Sequence, residues 1–174
     1  MDSSKRLRYK WITYGIVFFA TALLQTTLLS PIRFWNATAS LLPILVAMIA
    51  MREGAVGGAG AGLIAGILAD ALAAPTTGFY TIVFVLCGIL VGMMCRVLFR
   101  RGFLVALLYW AGCVVFTDLV YFFIHFLLAG QSGGSMFWLR IPGELAASIW
   151  FSPLLYWIVS VISRRFEAEE ASIV

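Results

Sequence analysis

Residues 53–80 read EGAVGGAGAGLIAGILADALAAPTTGFY, and no charged side chain interrupts the run between Glu53 and Asp70. Gly54, Gly58, Gly62 and Gly66 recur at every fourth position, and Asp70 takes the next place in the series. Glycine weakens a helix in water. A glycine ridge this regular therefore serves packing: with no side chain in the way, a neighbouring backbone can come close, the small-xxx-small mode of membrane helices. Four residues turn a helix by about 400°, so the ridge drifts by about 40° per step and can serve two neighbours. Ala55, Ala59, Ala61 and Ala65 widen it. Such a ridge suits packing within the chain and also docking of another protein. Pro75 and Gly78 then end the run with turn chemistry.

The rest of the chain has the same character. It has 174 residues, 63% hydrophobic and 11% charged, with mean hydropathy +1.01. Soluble domains carry about 25% charged residues, so a water-soluble domain of this size is excluded. The composition predicts an all-α integral membrane protein. Apolar runs fall at 11–30, 34–51 (with Pro43 inside), 54–73, 79–99, 103–129 and 142–163, which gives six transmembrane helices. Arg52-Glu53, 74–78 and Arg100-Arg101-Gly102 supply the breaks, and Gly130 to Ser135 the last linker. Pro142 suits the first turn of a helix, where its missing N–H costs nothing. The first run exceeds the roughly 7–15 residues of a signal-peptide core and reads as a retained helix. The expected organisation is a basic N-terminal segment 1–10, a membrane domain 11–163 and a C-terminal tail 164–174.

The formal charge of +4 comes from basic residues clustered at the ends of apolar runs, a topology signal and not a nucleic-acid stripe. One side holds Lys5, Arg6, Arg8, Lys10, Arg52, Arg96, Arg100, Arg101, Arg164 and Arg165, and the other only Arg33 and Arg140. By the positive-inside rule both termini are cytoplasmic, in agreement with an even number of spans. Cys87, Cys95 and Cys113 lie inside apolar runs without a CxxC, and His125 is the single histidine. Neither a metal site nor a cofactor is expected, and no hydrolase or metallopeptidase motif is present.

The acids are more telling. At about 1.5 Å per residue, Asp70 lies about 24 Å from Gly54 across a core of about 30 Å, and Asp118 about 22 Å from Phe103. Glu144, just after Pro142, sits at the same outer end. An ionisable group within a span costs a few kcal/mol unless it is paired, protonated or near water. Asp118, Glu144 and Arg140 thus form an expected outer-leaflet polar cluster, with Asp70 at a similar depth and Gln25, Arg33 and His125 at or above it. Three roles fit: helix capping and macrodipole stabilisation, a proton or cation path, or a contact site for a partner helix or periplasmic segment. The inner half lacks the relay that a path through the membrane needs.

Arg52-Glu53-Gly54, Gly62, Gly66, Asp70 and Gly78-Phe79-Tyr80, with the basic start and six short-looped helices, resemble the bacterial rod-shape-determining protein MreD family. In that family a glycine-rich third helix ends in Asp before a Pro/Gly turn, matched here by Gly62, Gly66, Asp70, Pro75 and Gly78. The resemblance implies a non-enzymatic, multi-pass component of the bacterial cytoplasmic membrane. It would act in the cell-elongation machinery as a scaffold that binds MreC, alongside the MreB filament, RodA and penicillin-binding protein 2. The layout also resembles the substrate-binding S components of energy-coupling-factor vitamin transporters. In that alternative Trp35, Asn36, Tyr80, Gln131, Trp138 and Glu144 would line a vitamin site.

Overall fold

The computed structural model describes residues 3–29, 40–72, 78–97, 102–129, 142–145 and 148–171. All regular structure among them is helical: α1 (Ser3–Leu24) running into a π-helical turn Gln25–Leu29, α2 (Leu42–Leu72), α3 (Phe79–Val97), α4 (Phe103–Ala129) and α5 (Ser152–Ala171). α2 and α4 are long and apolar enough to cross a membrane, and α3 offers a shorter apolar stretch, Phe79–Cys95. The outer surface is apolar too. Val56, Ile82, Leu104 and Phe123 are each at least 60% exposed, on a face that water would penalise and lipid would not.

α2 sets the architecture because it is two arms and not one rod. Gly54 has φ 78 and ψ −168, a conformation that a side chain strongly disfavours. There the chain folds back on itself. Ala50 lies beside Gly58, although a straight helix would hold residues eight apart about 12 Å from each other. Leu42 and Leu72, the two ends of the element, line the same cavity. The break expected at Arg52-Glu53 is thus made by a single residue, Gly54.

The first arm, 42–53, is the centre of the molecule. Every residue from Leu42 to Met51 is buried, as expected for a helix that is apolar all round. Pro43 lies in its first turn, not in its interior, and Ile44 and Leu45 both donate to the Leu41 carbonyl. The second arm, 54–72, runs antiparallel to α3, while α1, α4 and α5 complete the wall around the first arm. Tyr14 and Phe18 from α1, Trp110 and Val114 from α4, and Leu155 and Val159 from α5 all join its core.

The termini depart from the sequence reading. α1 begins at Ser3 and so takes in most of the expected basic segment. The last helix was expected over 142–163 with a tail after it. Instead, helical turns at 142–145 and 148–149 lead to a turn at Trp150 and Phe151, and α5 runs from Ser152 to Ala171. Pro153 accounts for the break. It has no N–H to offer the Ile149 carbonyl, and the Ser152 hydroxyl donates to that oxygen instead, at 2.7 Å.

Candidate functional site

The glycine ridge faces α3. A Cβ on Gly58 would overlap the carbonyl of Gly88, one on Gly62 the carbonyl of Phe84, and one on Gly66 the Cα of Thr81. Gly88 and Gly92 return the contact, since side chains there would strike Gly58 and Ala55. The two backbones are therefore in direct contact over the length of the second arm. Gly54, first of the series, forms the reversal, and Gly78 (φ 88) leads the chain into α3. The sequence reading missed Gly88 and Gly92, although their four-residue spacing opposite the ridge was the available signal.

Asp70 ends the ridge by capping α3. Its Oδ1 accepts from the Tyr80 amide at 3.0 Å. Its Oδ2 accepts from the Thr81 amide at 3.0 Å and the Thr81 hydroxyl at 2.6 Å. The carboxylate thereby satisfies donors that the first turn of a helix leaves without intrahelical partners, and it meets the positive end of the macrodipole. Of the roles open to it in the sequence, Asp70 thus takes helix capping, and the turn it caps is the first of α3.

Asp118 and Glu144 line the same cavity. Both are buried, at 5% and 6% exposure, and the cavity, of about 310 Å³, lies at the end of the bundle where the second arm of α2 finishes and α3 begins. Gln25, Ser40, Tyr80 and Thr117 add polar groups to its wall. The cavity exists because the central arm is short: residues 42–53 cover about 18 Å at about 1.5 Å per residue, well below a core of about 30 Å. The arm's N-terminus forms the floor through Ser40, Leu42 and Pro43. Its amides are held by side chains from other elements. The Ser40 N–H donates to Ser148 Oγ at 2.9 Å and the Leu41 N–H to Gln25 Oε1 at 3.1 Å. Gln25 stands in the π-helical turn, where Thr26 Oγ1 donates to the loosened carbonyls of Ala22 and Leu23. Asp70 is turned away toward α3, and Arg140 lies outside the described residues, as do Arg33, Trp35, Asn36, Gln131, Trp138 and the side chain of His125.

At the opposite end a second polar group surrounds the reversal. Lys10 pairs with Glu53 at 2.8 Å, and the Tyr14 hydroxyl donates to Glu53 Oε1 at 3.1 Å. Arg52 donates to Ser160 Oγ and lies 5.9 Å from the Tyr156 ring centre. Arg52 and Glu53, read from sequence as a break, thus tie α1 and α5 to the base of the central hairpin. The available signal was an acid next to a base between two apolar runs, which needs partners there.

Among the described residues no group of three or more His, Cys, Asp or Glu side chains is placed to hold a metal ion. Neither the curated proteins nor the solved structures gave a match. The model of the family described as rod shape-determining protein MreD matches residues 5–165, nearly the whole chain. A membrane fold built on a self-packed glycine hairpin, with a polar cavity at one end, is thus the form taken here by a member of the MreD family, to which this chain belongs.

Proposed function

We propose that the protein is a non-enzymatic scaffold of the cell-elongation machinery and that its cavity receives a segment of an MreC-like partner. The observation that carries this reading is the pair of buried acids, Asp118 and Glu144, on the wall of one cavity. Enclosed carboxylates above a helix N-terminus suit a polar or basic side chain brought in by a partner. In the same reading the chain crosses the cytoplasmic membrane six times with both termini inside, the cavity opens toward the periplasm, and contact with the MreB filament, RodA and penicillin-binding protein 2 runs through the partner. The glycine ridge contributes rigidity, because its close face is already occupied by α3. The vitamin-transport alternative is set aside, since the family match extends over nearly the whole chain.

The test is recovery of the MreC-like protein on a tagged chain extracted in mild detergent. Val114→Trp, which fills the cavity, and Glu144→Gln, which removes a charge from it, should each lower recovery about tenfold at equal membrane abundance, a loss of about 1.4 kcal/mol. Gly112→Ala, where an added methyl meets nothing within 4 Å, should leave recovery unchanged. Undiminished recovery in both cavity variants would sink the proposal.

A further inference from the structure

A second cavity, of about 390 Å³, opens on the outer surface between the start of α4 and α5. Its walls are aromatic and aliphatic: Phe103, Tyr156, Trp157 and Val161, with the Ser160 hydroxyl beside them and Arg164 at one end. Phe103 stacks edge-on against Tyr156 at 5.3 Å. Trp157 is 64% exposed, and Arg164 is exposed as well. From Pro153 to Arg164 the groove follows α5 for about 16 Å at about 1.5 Å per residue. That is close to half of a hydrocarbon core of about 30 Å, so the groove spans one leaflet. Its charged end lies on the arginine-rich side of the molecule, next to Arg165 and one turn from the Arg52–Ser160 contact.

We propose that this groove is a binding site for an anionic phospholipid of the leaflet on the arginine-rich side, with one acyl chain along Phe103, Trp157 and Val161 and the phosphate on Arg164. Three features select this occupant. The groove is as long as one leaflet, its walls are apolar where a chain would lie, and the one charged group lining it among the described residues is the Arg164 guanidinium, at the depth of the headgroups. Arginine matches a phosphate through paired N–H donors, and basic pockets between membrane helices select acidic headgroups in this way. Arg52 stands behind Ser160 and adds positive potential from within. The site is at the opposite end from the partner cavity and does not depend on it.

Native mass spectrometry of the full chain in detergent, titrated with phosphatidylglycerol or with phosphatidylethanolamine of the same acyl chains, tests this assignment. Phosphatidylglycerol should be retained about fivefold better, the effect of about one basic residue at a membrane surface. Arg164→Gln, an exposed change that spares the fold, should bring the two lipids within twofold. Val161→Trp should reduce retention of both while the preference survives, and Arg8→Gln, an exposed change on α1, should alter neither. Glycerol 3-phosphate, which carries the headgroup charge without chains, should not displace the lipid. The proposal fails if the unaltered chain shows no preference, if Arg8→Gln abolishes it as fully as Arg164→Gln, or if glycerol 3-phosphate competes. It also fails if the chain runs as a lipid-free dimer that Val161→Trp dissociates, because the groove would then hold a second copy.

Discussion

Asp70 holds the start of α3 with three hydrogen bonds from two residues. Loss of a helix cap costs about 0.5–2 kcal/mol, and hydrogen bonds to a charged group about 1.5–3 kcal/mol each. Asp70→Leu should therefore destabilise the protein by about 2 kcal/mol or more, whereas Asp70→Asn, which keeps one acceptor oxygen, should lose about half as much. Thermal unfolding in detergent measures both. A proton carrier would behave differently, since Asn removes the titratable group and would abolish rod-shape complementation as completely as Leu. Glu53 offers a parallel case at the other end. With Glu53→Gln the partner charge of Lys10 is lost while the Tyr14 contact can persist, so Glu53→Leu should be the more damaging of the two in the same melting assay. The sequence announced that Asp70 needed partners, from the cost of charge in an apolar run, whereas Glu53 read only as part of a break. It could not say which, because the partners of Asp70 lie ten and eleven residues on and that of Glu53 on another helix.

At the scale of elements, the ridge makes a sharp distinction among glycines. Gly58→Ala or Gly62→Ala should already hurt, because the neighbour to be displaced is backbone and not a flexible side chain. Overpacking of this kind costs about 1–3 kcal/mol, and Leu at either position should prevent stable accumulation in the membrane. Gly15→Ala and Gly112→Ala, with nothing within 4 Å, should be neutral or slightly stabilising in the same assay, because alanine favours the helix. If all four variants melt together, the backbone contact is not what holds α2 to α3. This packing was legible as a period in the sequence. The reversal at Gly54 was legible only as a break, since spacing records small residues but not the sign of φ. The start of the last helix was misread for a related reason. Pro142 and Pro153 both suit a first turn, and apolar content alone does not choose between them.

For the whole molecule, charge divides one end from the other, and the two polar groups lie at those ends: Lys10, Arg52 and Glu53 at one, Asp118 and Glu144 at the other. The six-span reading with cytoplasmic termini predicts that Ser132→Cys and Thr77→Cys are labelled from outside by an impermeant thiol reagent, and that Arg101→Cys is protected. Spheroplasts giving the reverse pattern would overturn the orientation while leaving the fold intact. The native cysteines should not interfere, because Cys87 and Cys113 are buried and Cys95 is partly so. Composition alone made the membrane class plain, but the cavity depends on a central arm shorter than the bilayer, and hydropathy cannot report that a helix stops early.

That short arm also bears on how the protein is made. Residues 42–51 are buried on every side by the rest of the chain, and the arm 42–53 covers only about 18 Å, too little to stay in a bilayer of about 30 Å alone. As the chain leaves the ribosome, this arm must wait at the translocon until 54–72 has followed it round Gly54, and the two then enter the lipid as one unit. A photocrosslinker at Ala47, which is fully buried in the finished fold, should therefore reach the translocon in nascent chains halted with residue 60 just outside it, and should no longer do so in those halted beyond residue 97, with α3 seated on the ridge.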